Sequence, residues 1–211
     1  MSTARERLLH TSRELMLQNG YHAVSVDEIC IQANVKKGSF YHFFDSKMNL
    51  ALQSMDDEHQ ESKSVCDTIF SSVSSPIERF QNFFEYIYET QADLYRRTGH
   101  VCGALPVTLG LEMACHDEIR KKSSQIICFY EKYYKAVLRD LINAGDIDGN
   151  IDVKNVSFNI SCYIIGRLTI ARIRNSLDFL KDFDAGTSNL ERFDFAGYSL
   201  SKKSDTERPP P

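Results

Sequence analysis

Apolar positions recur every three to four residues along nearly the whole chain, and two-residue alternation is absent. That period predicts amphipathic helices packed on one another and no strands. Glycines and prolines fall between the periodic segments, where chain breaks belong. The first helix is expected from about Ala4 to Asn19, with Leu8, Ser12, Leu15 and Met16 on one face. Gly20 follows as a left-handed stop. Ser25, with Glu28 three residues on, predicts an N-cap and capping box, and Val26, Ile29, Cys30 and Ala33 form the apolar face of the second helix. Asn34 tolerates the left-handed region that a tight turn requires. A third helix starts near Lys36 and turns Phe40, Phe43 and Phe44 inward. Asp45-Ser46 caps a fourth helix that begins at Lys47 and reaches about Phe70.

"SVSSP" (72–76) is the next break, with Ser75 as N-cap and Pro76 at the first helical position. A helix carrying Ile77, Phe80, Phe83, Phe84, Ile87 and Tyr88 follows, then a loop at "RRTGH" (96–100). "CGALPVTLGLEMAC" (102–115) reads as a short buried helix, and a long one spans about Asp117 to Asn143. Asp152 caps a further helix, "VSFNISCYIIGRLTIARI", which is apolar nearly all round and must be covered on most sides. Asn175-Ser176 ends it. A last amphipathic segment is expected from Leu177 to about Leu200, kinked or divided at Gly186, followed by a disordered tail at 201–211.

Composition narrows this all-α reading little. A chain of 211 residues with 42% apolar and 26% charged residues suits one or two globular domains. No apolar run approaches the ~20 residues of a membrane span. Residues 1–20 carry Arg5, Glu6, Arg7, Arg13 and Glu14 without an apolar h-region, so an intracellular, cytoplasmic protein is expected. The six cysteines are scattered with no C-x-x-C pair, which argues against a disulfide framework or zinc site and predicts mostly buried thiols. No metal or cofactor is expected.

Charge changes the picture more. The net charge is −4, but residues 1–50 hold six Lys/Arg against five Asp/Glu. Nucleic-acid contact must therefore come from local placement of cations and not from bulk charge. "VKKGSFYHFFDSK" (35–47) supplies that placement. The second and third helices with their four-residue connection make a helix-turn-helix, about Ser25 to Phe44, whose second helix fits a major groove. Lys36 and Lys37 sit at its leading turn, in reach of phosphate or guanine acceptors. Gly38 lets backbone approach closely, Ser39 can donate to a phosphate, and Tyr41 and His42 face outward. Lys47 is expected to aim its ammonium at a backbone phosphate, with Ser25 doing likewise from the second helix. The simpler reading is a capped turn with solvated lysines over an aromatic cluster.

The combination is more specific than that. Residues 7–52, "RLLHTSRELMLQNGYHAVSVDEICIQANVKKGSFYHFFDSKMNLAL", resemble the DNA-binding domain of TetR-family transcriptional repressors. The family's V-x-x-G-x-x-Y-x-x-F-x-x-K run is met by Val35, Gly38, Tyr41, Phe44 and Lys47. Asn34 stands where glycine is usual, and Ser39 and Phe40 where threonine and leucine are common. The resemblance implies a homodimer on a pseudo-palindromic double-stranded operator. It also implies domains at 1–48 for DNA and at 49–200 for ligand binding and dimerisation. The terminal helices would then form a four-helix bundle with the partner, with Ile160, Ile164, Leu168 and Phe179 as interface candidates.

A regulator needs an input. The second domain lacks phosphate-binding glycine loops and paired catalytic carboxylates, and its aromatic and aliphatic content predicts a mostly apolar pocket for a small-molecule inducer. The stripe Phe80, Phe83, Phe84, Tyr88 reads as core before pocket. "HVCGALPVTLGLEMA" resembles a segment of the TetR-family branch containing repressors of electrophile- and acrylate-detoxifying enzymes, some of which sense the inducer through a cysteine at about Cys102. His100, Cys102 and Met113 are the ligand or sensor candidates. Arg96, Arg97 and His100 precede the thiol, and cations lower a thiol's pKa; a small buried residue at a helix start is the plainer alternative. Two rival function classes stay open from sequence: an all-α enzyme for small apolar substrates, which has no evident nucleophile–base pair, and a dimeric interaction protein.

Overall fold

The structure, a computed structural model, describes residues 2–181. Within them the chain is helical between short connections and forms no strand. In order, the helices are α1 (Ala4–Asn19), α2 (Val26–Gln32), α3 (Lys37–Phe43), α4 (Lys47–Ile69), α5 (Pro76–Thr98), α6 (Leu105–Glu112), α7 (Asp117–Ala144), α8 (Val153–Arg174) and α9 (Asp178–Lys181). The segment expected as a long last helix is described only through Lys181. Its remainder, Gly186 and the 201–211 tail lie outside the described residues.

Local signals place most boundaries. Ser25 Oγ accepts from Glu28 N at 3.1 Å, which gives the cap without a return bond from the Glu28 side chain. Ser75 and Glu78 form the full reciprocal box ahead of Pro76. Asp152 accepts from Lys154 N and Asn155 N. Asn34 (φ 51°) and Asn175 (φ 46°) take left-handed turns.

Two boundaries differ from expectation. α5 runs through Arg96, Arg97 and Thr98 before Gly99 ends it at φ 75°, because two basic residues favour a helix C-terminus and glycine supplies the left-handed cap. Gly20 does have positive φ, but at ψ 164° it lies in the extended mirror region and not the left-handed helical one. The positive φ favours glycine there, and a Cβ would stand 2.9 Å from Glu112 Oε2 and displace that carboxylate.

The chief pairings are α7 with α8, α1 with α4, and α6 with α7. One core joins Leu8, Met16, Ile29, Phe40, Phe44 and Leu50 to Leu105, Leu109 and Met113, so the N-terminal helices and α6 share one apolar interior. A second core gathers Phe80, Phe83 and Phe84 of α5 with Tyr134 and Val137 of α7 and Ile160 and Ile164 of α8. Partly buried Tyr130 packs against both. The α5 aromatic stripe is thus mainly core, with Tyr88 half-buried.

Candidate functional site

The turn between α2 and α3 is built tightly. Val35 N donates to Cys30 O at 2.9 Å and Asn34 N to Ile31 O at 3.1 Å. Arg7 on α1 donates through Nε to Ala33 O at 3.0 Å, pinning the end of α2. Phe40 and Phe44 are fully buried and Phe43 packs half-buried beside them, which fixes how α3 rolls about its axis. The opposite side presents Lys36, Lys37, Gly38, Tyr41 and His42 to solvent, with Ser39 half-buried at its edge. Tyr41 is 54% exposed despite its large ring. Among the described residues, nothing beyond its chain neighbours and its own helix backbone lies within 4 Å of a Cβ built on Gly38. Lys37 is bonded to Asp27 at 2.7 Å, which raises its pKa; the pair is exposed and easily exchanged.

Lys47 corrects the sequence expectation. Its Nζ points inward, donating to Tyr21 O at 2.9 Å and Val24 O at 2.7 Å, 4.0 Å from the centre of the Tyr21 ring. Burial lowers its pKa, partly countered by Glu112. The ammonium caps carbonyls of the α1–α2 loop, which lie outside the helices and have acceptor capacity to spare. Ser25 Oγ is likewise engaged as a cap, though exposed.

The same loop is held from below. Glu112, at the end of α6, accepts from Tyr21 N at 2.7 Å and His22 N at 2.9 Å. Arg172 of α8 donates to Leu17 O of α1 at 2.7 Å, to Cys102 O at 2.9 Å, and to the Thr108 hydroxyl on α6. Two side chains therefore fasten the helix-turn-helix head to α6 and α8.

Beneath the head lies a cavity of about 170 Å³, walled by residues of α4, α5, α6, α7 and α8. Its surface is mostly apolar, including Phe83, Ile87, Ile126, Tyr130 and Ile164. Glu58, His59, Ser62, Thr90 and Gln91 bring polar groups to it.

None of the sensor candidates lines this cavity. Cys102 is buried, bonded through Sγ to His100 O at 3.5 Å. Burial raises its pKa, and Thr98 and Arg172 offset this only in part. Of the expected activating cations, Arg97 adds only the weakest lowering influence on the thiol, paired as it is with Glu14 and Asp93, and Arg96 pairs with Asp93. His100 is exposed and Met113 is fully buried in the head core. Only half the cysteines are buried, since Cys115, Cys128 and Cys162 are exposed.

The interface candidates also need correction. Ile160 and Ile164 are core residues of the protomer, and Leu168 faces the cavity. A helix apolar all round offers no periodicity from which to tell its inner face from its outer one. The exposed apolar residues of α8 are Phe158, Ile170 and Ile173, with Cys162 on the same side; Phe179 in α9 is also exposed.

Sequence reading missed Glu58, His59, Glu112 and Arg172. The first stood in the acidic run "DDEHQES" and reads as solvated surface. Ala51, Met55, Glu58, Ser62 and Cys66 nevertheless follow one helical stripe, so the carboxylate's inward face was recoverable. Glu112 and Arg172 act across long sequence separations that no local pattern records.

Residues 8–53 match the family described as bacterial regulatory proteins, tetR family. The chain is 24% identical over 196 residues to an uncharacterised HTH-type transcriptional regulator of Lactococcus lactis subsp. lactis, covering 91% of this chain and 95% of that one. It is 29% identical over 153 residues to the transcriptional regulator AcuR of Cereibacter sphaeroides, covering 72% and 68%. Its fold is that of the regulatory protein TetR from Rhodobacter sphaeroides, with a TM-score of 0.79 at 24% identity over 88% of this chain and 97% of that one.

Proposed function

The chain belongs to the TetR family of transcriptional regulators, and from that premise we propose that it is a homodimeric repressor released from its operator by a small molecule. It is a DNA-binding regulator and not an enzyme. Proteins of this family bind operator DNA and small-molecule ligands and act as dimers. No helix among the described residues is long and apolar enough to cross a membrane.

One observation carries the reading: α3 turns Lys36, Lys37, Gly38, Tyr41 and His42 outward together while Phe40 and Phe44 anchor it from behind. The two lysines reach phosphates or guanine edges. Protein packing gives no reason for glycine at position 38, and a duplex backbone at close range does. Lys47 serves the site indirectly by shaping the loop ahead of α2.

The apolar exposed face of α8 is the surface for the second protomer, through Phe158, Cys162, Ile170 and Ile173. Ligand in the cavity acts on the head through α6 and α8, because Glu112 and Arg172 tie both to α1 and its loop. Two recognition helices must match the ~34 Å between successive major grooves. A ligand that binds a differently spaced dimer more tightly therefore weakens DNA binding.

The test is footprinting on the DNA upstream of the chain's own gene. Two protected half-sites, about one helical turn or a multiple apart, are expected. Protection that ignores sequence, or binding to single strands alone, refutes the proposal.

A further inference from the structure

Two neighbouring side chains of α4 reach the cavity, and each leaves one buried polar atom without a hydrogen bond. Glu58 Oε1 lies 3.5 Å from Leu105 N, at the first turn of α6. Its Oε2 is sequestered from solvent and accepts no hydrogen bond, although the residue as a whole is only half-buried. His59 Nδ1 is also buried without a hydrogen-bond partner, its ring packed edge-on to Phe129 at 4.5 Å. An unpaired buried carboxylate oxygen is a strongly unfavourable group. A leucine or methionine at position 58 would continue the stripe of Ala51, Met55 and Cys66 without that penalty.

Resting on the reading of this chain as a ligand-controlled regulator, we propose that the cavity receives a small organic amine, its ammonium donating to Glu58 Oε2 and His59 Nδ1 and its apolar body lying against Phe83, Ile87 and Tyr130. A carboxylate and a neutral imidazole nitrogen both accept, so the complementary group is a donor, and a charged one at the carboxylate. Aromatic faces at Phe83, Tyr86 and Tyr130 suit a cation and do not suit an anion. The volume of about 170 Å³ resembles the roughly 150 Å³ cavity that holds benzene in another protein. The body is therefore about one ring in size.

The electrostatics agree. Burial pushes the Glu58 carboxyl up to about 7, against the opposing pull of Arg13 and the Leu105 N–H, with Glu61 adding to the rise. Arg13, on α1, is itself bonded to Glu61 at 2.6 Å. Tyr86 from α5 and Tyr130 from α7 also face Glu58, and burial holds both above the usual tyrosine range, so they stay protonated. Burial lowers the His59 pKa, which favours its neutral, accepting form. The Glu58 carboxyl, pushed up to about 7, exchanges its proton near neutrality, and an ammonium takes the place of that proton. Amine affinity falls about tenfold for each pH unit below roughly 7 and levels off above it, since an aliphatic amine keeps its own proton throughout.

The experiment is calorimetry on the full-length dimer between pH 6 and 8 with benzylamine, phenethylamine, benzoate and toluene. The same titrations are run on Glu58→Gln and His59→Phe, with circular dichroism to confirm that both are folded. Saturable amine binding is expected, stronger at pH 8 than at pH 6 and weakened about tenfold to a hundredfold by Glu58→Gln. Three results overturn the proposal: equal binding of benzoate or toluene, amine binding that Glu58→Gln leaves intact, or no saturable binding of either amine. A gel shift with the operator separates the premise from the inference. Amine binding that leaves the operator complex intact sustains the amine site and refutes ligand control. Release by benzoate or toluene, with no amine binding, does the reverse.

Discussion

Replacing Arg172 with methionine keeps the bulk of the side chain and removes its hydrogen bonds. In the parent, the guanidinium reaches Leu17 O, Cys102 O and the Thr108 hydroxyl. Leu17 O is one of the last carbonyls of α1, and the Tyr21 N–H that would ordinarily complete its helical bond goes to Glu112 instead. Leu17 and Cys102 are both buried, so the substitution strands two carbonyls away from water. Each stranded group costs about 1–3 kcal/mol, and together roughly 2–6 kcal/mol is expected. For a chain of this size that is a fall in Tm of roughly 4–24 °C. Thermal unfolding followed by circular dichroism at fixed dimer concentration measures it, since dimer stability varies with concentration. Thr108→Val isolates one partner: a double-mutant cycle with Arg172→Met should return a coupling of about 0.5 kcal/mol or more. A loss below about 1 kcal/mol for Arg172→Met, or no coupling, refutes the claim that this residue fastens α8 to the head.

Lys47→Met should weaken operator binding and lower stability by about 1–3 kcal/mol while leaving the salt dependence of binding unchanged, whereas Lys36→Ala should flatten the log–log salt slope by about 1 if it contacts a phosphate; titrations at several salt concentrations distinguish them. Phe40→Ala should destabilise by about 3–5 kcal/mol, read as a lower denaturant midpoint. Phe158→Glu should give monomers in sedimentation, while Ile164→Val should leave the dimer intact. Glu58 has its folded pKa raised to about 7 from 4.5, so the native state holds the proton more tightly than the unfolded one. Stability should therefore fall as pH rises from about 4.5 to 7, and Glu58→Gln should flatten that decline in urea titrations across pH.

Helix positions were legible in the sequence because caps and breakers are local: Ser75-Pro76, Asp152 and Asn34 each act through their own backbone. The α3 face was legible too, since aromatic anchors and polar outer positions share one short helix. What sequence could not supply were directions that depend on distant partners. Lys47 was read as reaching outward because its attractors, the Tyr21 and Val24 carbonyls, belong to a loop whose approach is set by tertiary packing. For Cys102 the resemblance and the preceding cations suggest a sensor and its place at a helix start a plain buried residue; it is buried, and Arg97 turns to Glu14 on α1, a pairing across 83 positions. Ile160 and Ile164 were placed at the interface because α8 is apolar on every side and its pattern marks no outer face.

The shared interior of the head and α6 bears on how such regulators can be recombined. Phe40 and Leu50 sit in one apolar cluster with Leu105, Leu109 and Met113, so the first three helices do not close a core of their own. Cut out at residue 48, they would expose the surface that α4 and α6 now cover, and small excised units of that kind are marginal at best. A chimera that exchanges DNA specificity with another regulator therefore has to carry more than α1–α3. The transplant must bring the facing side of α6 along with Glu112, or redesign that seam, because the unit of inheritance here is a joint and not a bead.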